Sequence, residues 1–245
     1  AGVLFGSLAI IVMLVCTFNV KERFDNSEKN DKSFFRTLKE FFKLKEFRSI
    51  MMYFLLSMIG FDIIMAVFMF FINYSLNFGA NANSVLGMVF VAIPLVMAIL
   101  SAALWVKLSE KFMKHKVYAG ACVYMAIVLL FAVFVPQGNI LTTILLCVFA
   151  GLGMSAIQIL PFASVPDVIE VDEYTYGTRR EGAYYGITQF MYKLASGLSV
   201  AVVSFILELF GYIESNTGEF IIQPDSAKMA IRVILGVIPG IIFLI

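Results

Sequence analysis

Lys193 is the residue of this 245-residue chain that most needs a chemical explanation. It stands about ten residues, roughly 15 Å, into the apolar stretch 183–210, a depth that reaches the middle of a bilayer if the stretch crosses one. A charged side chain there costs about 2.5–3.5 kcal/mol on insertion scales. It is tolerated where it faces a protein interior, a water-filled cavity or a carboxylate. An ammonium held at that depth can balance a carboxylate and compete for it with a mobile cation. The i, i+3, i+4 rule gathers Gly186, Gln189, Ser196, Gly197 and Val200 on its helical face. All but the last are small or polar, which predicts a wet wall. Gly182 and Gly186 also form a GxxxG that would admit a close helix neighbour.

Asp62, within GFDIIMAV, is a second charge inside an apolar run. It could pair with Lys193, hold a cation, accept a hydrogen bond from a substrate hydroxyl, or simply bridge two helices. A third group is the stretch PFASVPDVIEVDEYTYGTRREG, which crowds Asp167, Glu170, Asp172, Glu173 and Glu181 close to Arg179 and Arg180. The i, i+3, i+6 spacing of Asp167, Glu170 and Glu173 lines three acids along one side of a helix end. Opposite charges across a channel mouth make a gate, because ion pairs differ in strength between two conformations. Glu208 falls at the outer end of its stretch and reads as interfacial. His115, between Lys114 and Lys116, reads as solvated. Cys16, Cys122 and Cys147 have no CxxC spacing, so they predict neither disulfide framework nor zinc site but small buried hydrophobes. No nucleophile–base pair or metal-ligand cluster argues for an enzyme.

These residues must be positioned by helices in a membrane. The chain is 61% hydrophobic and 14% charged, with a mean hydropathy of +0.92, against about 25% charged residues in soluble domains. Its net charge of +1 gives no electrostatic case for nucleic acid. Seven stretches are long enough to span, or nearly so: about 3–18, 49–73, 85–106, 117–135, 140–162, 183–210 and 228–245. Lys and Arg fall in alternate connectors. Residues 19–48, 107–116 and 163–182 hold fifteen of the eighteen, and 74–84, 136–139 and 211–227 hold none. The positive-inside rule assigns the first three connectors to the cytoplasm. FFRTLKEFFKLKEFR, 34–48, reads as an amphipathic helix at the cytoplasmic membrane surface. Ala1 and Ile245 both lie inside apolar runs, without a basic n-region at the start. That predicts a piece of a longer, multi-pass protein of the cell membrane.

The stretch PFASVPDVIEVDEYTYGTRREGAYYGITQFMYKLASGLS resembles the glycoside–pentoside–hexuronide cation symporters, the family of the melibiose permease, within the major facilitator superfamily. The family pattern is roughly P-D-hydrophobic-hydrophobic-D/E-x-D/G-E, then R-x-E-(G/S)-x-x-Y, then an aliphatic or aromatic run ending in Lys and small residues. The resemblance implies an all-α integral membrane fold. Residues 1–18 would be the end of helix six, 19–48 the central cytoplasmic loop, and 49–245 the C-terminal bundle of helices seven to twelve. It implies that Lys193 lies by the cation site, whose carboxylates belong to the N-terminal half. Asp167, Glu170, Glu173, Arg179 and Glu181 match the family's charged cytoplasmic segment, with Arg180 beside them. Gln189 stands where the melibiose permease has Thr, and Gln158 where it has a Trp near its sugar.

The implied function is sodium- or proton-coupled uptake of a glycoside or related sugar. Tyr185, Gln189, Asp62 and Gln158 are then the candidate substrate contacts, and the fragment by itself is inactive. No metal site is expected in this half, and no cofactor beyond the coupling ion. The expected partners are the lipid bilayer, a small sugar and the N-terminal half. Two rivals remain open. Vertebrate lysophospholipid carriers share the fold, and the Phe-rich surface could suit an acyl chain. A seven-helix receptor would account for the span count but not for the charged segment beside a midplane Lys.

Overall fold

A computed structural model describes residues 2–19, 41–79, 85–177, 180–213 and 221–245. The chain divides into two units, Ala1–Thr37 and Leu38–Ile245. The first contains α1 (Gly2–Asn19), an apolar helix of 18 residues. Near its end Thr17 Oγ1 and Asn19 Nδ2 donate to the carbonyls of Met13 and Val15, both at 2.8 Å.

Among its described residues the second unit holds six long helices: α2 (Lys45–Phe70), followed directly by a π-helical turn (Phe71–Ser75), α3 (Val85–Lys111), α4 (Lys114–Phe134), α5 (Ile140–Tyr176), α6 (Glu181–Leu209) and α7 (Asp225–Leu244). All six are long and apolar enough to cross a membrane. Their limits follow local chemistry. Asn139 caps α5, its side-chain oxygen accepting from Thr142 N at 3.2 Å. Gly177, at φ 67°, ends α5 in the left-handed conformation that favours glycine.

The largest departure from the expected pattern is the length of α5, which runs through the 163–182 connector to Tyr176. Pro161 and Pro166 do not stop it. Val165, Val168 and Ile169 recur at helical spacing and bury against Phe41, Phe47, Met51, Tyr184 and Ile187, so packing carries the helix past both prolines. The expected interfacial helix 34–48 is described only from Phe41. There Phe41 and Phe47 bury in this same cluster, and residues 34–40 lie outside the described ones. Cys122 and Cys147 are buried as expected, whereas Cys16 is exposed; lipid can shield an apolar side chain as well as protein can.

α2 is central, packing on α5, α6 and α7, while α4 packs on α5 and α7, and α3 on α5. Small residues set two of these contacts. A Cβ on Gly151 would stand 2.5 Å from the Pro94 carbonyl oxygen, and one on Gly236 would stand 2.5 Å from Val133 Cγ2. α3 and α6 keep the most open faces, with 17% and 22% of their central stretches buried against 44–56% for the other four.

The two ends of the bundle differ in charge, as the alternation of basic connectors requires. At one end Lys114 Nζ bonds Asp167 at 2.7 Å, and Phe41 stacks on Tyr184 with ring centroids 4.1 Å apart. This gathers the described parts of the basic connectors in this unit. At the other end Gly138 N donates to Leu76 O at 3.0 Å, and Gln223 exchanges two hydrogen bonds with the Ile213 backbone.

A mid-depth polar site and two charged ends

Asp62, Gln158 and Lys193 come from three helices and lie at comparable depth. Counted from the outer ends of α2 with its π turn, α5 and α6, they stand about 20, 27 and 24 Å along their axes. Ser199 Oγ donates to Ile59 O at 3.1 Å and so fixes the register of α6 against α2. In that register Ser196 lies beside Asp62. Asp62 Oδ2 is buried and has no hydrogen-bond partner among the described residues, and neither has Gln158 Oε1. A buried acceptor without a donor costs about 1–3 kcal/mol, so these two atoms mark a place where a donor belongs.

Lys193 does not pair with Asp62. It is exposed, its ammonium 5.9 Å from the centroid of the Tyr192 ring. Tyr192 in turn sits 6.3 Å from Phe162, which makes an edge contact with Phe54 at 5.0 Å. Phe162 lies one turn beyond Gln158 on α5. These rings, with Met58 and Ala195, form an apolar floor on the cytoplasmic side of the polar groups.

The exposed surface of α6 has two characters. One stripe carries Gly182, Gly186, Gln189, Lys193 and Gly197, all exposed. A Cβ on any of these three glycines would meet nothing within 4 Å, so within this unit the GxxxG makes no helix contact and lines an open face. The adjacent stripe is Phe190, Leu194, Leu198 and Phe205, each about half exposed or more. Tyr185, 46% exposed, flanks the polar stripe on the Ser196 side.

The charged residues at the cytoplasmic end divide between inward and outward roles. Asp172 is 1% exposed and bound by Arg180, with Nη2 to Oδ1 at 2.6 Å and Nε to Oδ2 at 3.1 Å. The Arg180 guanidinium also lies 4.7 Å from the Phe41 ring centroid. Asp167 pairs with Lys114, which donates as well to Ala163 O at 3.2 Å. Glu170 is exposed and makes no ion pair with a described residue. Glu173 is half-buried and Glu181 exposed, and both take part in further polar contacts. Arg179 lies outside the described residues. Asp167 and Arg180 thus staple helix ends of their own unit, α4 to α5 and α5 to α6.

Arg232 is the group that sequence reasoning missed. It enters from α7 and donates through Nε to Ser75 Oγ (2.8 Å), Nη2 to Ser75 O (3.4 Å) and Nη1 to Val133 O (2.7 Å). It therefore caps the carbonyl-rich ends of α2 and α4 at once. Its signal was available, since it is a charge four residues past the start of the apolar stretch 228–245. Asp172 was visible among the acids, but nothing local set it apart from Asp167.

A bundle of membrane-length helices, with charge sorted between its ends and ionisable groups at mid-depth, defines a multi-pass α-helical membrane protein. Over residues 1–245 the chain matches the family described as MFS/sugar transport protein, and it belongs to that family, as its resemblance to the glycoside–pentoside–hexuronide cation symporters implied. It is 26% identical over 251 residues to the sodium-dependent lysophosphatidylcholine symporter 1 of Gallus gallus, covering 100% of this chain and 45% of that protein. The Homo sapiens protein of the same name is 22% identical over 243 residues, covering 97% and 42%. An uncharacterized symporter of Synechocystis sp. is 37% identical over 111 residues, covering 45% of this chain and 20% of that one. The chain spans somewhat under half the length of the lysophosphatidylcholine symporters it matches.

Proposed function

We propose that this chain is the C-terminal half of a cation-coupled symporter that takes up a glycoside or related sugar by alternating access. The observation that carries the reading is the pair of buried acceptors without donors among the described residues, Asp62 Oδ2 and Gln158 Oε1, beside the open polar face of α6. Sugar hydroxyls supply such donors. A lysophosphatidylcholine has one glycerol hydroxyl and a trimethylammonium without an N–H, so it can satisfy at most one of the two acceptors. Gln189 and Tyr185 supply further polar contacts from α6, and the Phe162–Tyr192 floor offers rings on which a sugar face can rest.

Lys193 acts as a charge lever. It and a sodium ion or proton compete to balance carboxylates of the N-terminal half, so that cation binding shifts the equilibrium between inward- and outward-facing states. Its exposure, with no ion pair to a described residue, supports a counter-charge outside this unit. Glu170, Glu173, Arg179 and Glu181 form the cytoplasmic gate, braced by the Asp167 and Arg180 staples. The expected surroundings are the bilayer and the N-terminal half, with no cofactor beyond the coupling ion.

A second reading is a lysophospholipid carrier. Similarity along the whole chain to sodium-dependent lysophosphatidylcholine symporters favours it, and so does the apolar stripe Phe190, Leu194 and Leu198 beside the polar one. Radiolabelled uptake into vesicles containing the full-length parent separates the two. A sugar panel and lysophosphatidylcholine would each be tested with and without sodium or proton gradients, in wild type and Lys193→Ala. Gradient-driven sugar uptake that the variant uncouples supports the proposal. Uptake of lysophosphatidylcholine but of no sugar replaces it with the second reading. Sugar uptake that Lys193→Ala leaves coupled removes the charge-lever role.

A further inference from the structure

The turn between α3 and α4 sets two large apolar side chains among cations. Phe112 and Met113 are 52% and 62% exposed. Lys107, Lys111, His115 and Lys116 are exposed around them, with Glu110 the one acid from 107 to 116. Lys111 Nζ stands 5.7 Å from the Phe112 ring centroid. Lys107, Lys111 and Lys116 make no ion pair with a described residue, whereas Lys114 turns inward to Asp167. On α4 the stripe Val123, Ile127 and Phe131 is 47%, 52% and 69% exposed. Lys116 continues that face towards the turn at helical spacing.

A solvated turn has no use for exposed Phe and Met, and a lipid-facing stripe has no use for lysines until it reaches the headgroups. The two features meet only at the boundary between them. We propose that this turn is a binding site for anionic phospholipid of the cytoplasmic leaflet. Lys107, Lys111 and Lys116 hold the headgroup phosphates, and Phe112 and Met113 enter the boundary between headgroups and acyl chains. Because Lys114 ties the same turn to Asp167 on α5, bound lipid braces the charged end of that helix as well.

The test is native mass spectrometry of the full-length parent, titrated with phosphatidylglycerol and with phosphatidylcholine. Wild type is expected to retain phosphatidylglycerol in preference. The combined Lys107→Gln, Lys111→Gln, Lys116→Gln variant should lose roughly 100-fold of that preference, and the corresponding three Arg replacements should keep it. Phe112→Ser with Met113→Ser should weaken retention of both lipids. Equal retention of the two lipids by wild type overturns the proposal. So does an undiminished preference in the triple Gln variant, or a preference lost equally in the Arg variant, which would indicate a misfolded turn rather than a lost charge.

Discussion

Arg180 grips both carboxylate oxygens of Asp172 across the turn between α5 and α6, with its own guanidinium 4.7 Å from the ring centroid of Phe41. The pair is nearly dry, with side-chain exposures of 8% and 1%. Removing one partner strands a charge, which costs about 3–5 kcal/mol. Arg180→Ala should therefore lower the thermal stability of the full-length parent in detergent far more than Lys114→Ala. The Lys114–Asp167 pair is 41% and 49% exposed and worth about 0–1 kcal/mol. The double variant Asp172→Leu, Arg180→Met should recover much of the loss. Equal melting shifts for Arg180→Ala and Lys114→Ala would contradict the burial argument.

Gln158→Leu separates binding from folding. Gln158 Oε1 has no donor among the described residues, so replacing it by an apolar side chain should leave stability unchanged or raise it slightly. The same change should raise the KM for substrate by roughly 3- to 10-fold, the loss of one hydrogen bond. Asp62→Asn should raise KM by about 10-fold or more, since a bond to a charged acceptor is stronger. A melting temperature that falls together with affinity in Gln158→Leu would instead make Gln158 a packing residue.

Two glycines of identical type should respond oppositely. Gly151 has Pro94 and Met97 within 2.8 Å of where its Cβ would stand, so Gly151→Ala overpacks the α3–α5 contact and should cost about 1–3 kcal/mol. Gly186 has nothing within 4 Å, so Gly186→Ala should be neutral or gain up to about 1 kcal/mol of helix propensity. Thermal unfolding of the two variants checks both signs.

Arg232→Ala removes three donors from helix ends that have few other caps. At about 1 kcal/mol per bond it should destabilise by roughly 3 kcal/mol. Arg232→Lys should recover only part of this, because a single ammonium cannot span Ser75 and Val133 as the guanidinium fork does. Hydrogen exchange at the outer ends of α2 and α4 should rise in Arg232→Ala while α5 is unaffected.

Much of the architecture can be read from the sequence because hydropathy and charge are carried residue by residue. Among the described residues the seven apolar stretches each coincide with a helix, six of them of membrane-spanning length, and the described parts of the basic connectors of the second unit lie at one end of its bundle. Lys193 and Asp62 stand out for the same reason, since a charge inside an apolar run is anomalous whatever surrounds it. The family followed from forty contiguous residues. The helix α5 outruns the apolar stretch 140–162 because hydropathy marks only the part that crosses lipid, and the burial of Val165, Val168 and Ile169 that carries it to Tyr176 depends on Phe41 and Tyr184, distant in the chain.

Pairing is what the sequence left undecided. Asp167, Glu170, Asp172 and Glu173 carry the same charge within one turn or two, yet folding buries Asp172 against Arg180 and gives Asp167 to Lys114, 53 residues away. Arg232 finds Ser75 across 157 residues and Val133 across 99. Lys193 and Asp62 share a depth but not an ion pair. Composition and periodicity fix which residues lie in the membrane and how deep. The rotation and register of each helix against its neighbours decide which of those residues meet, and these are set by packed surfaces such as Gly151 on Pro94 and Gly236 on Val133, formed only once the helices assemble.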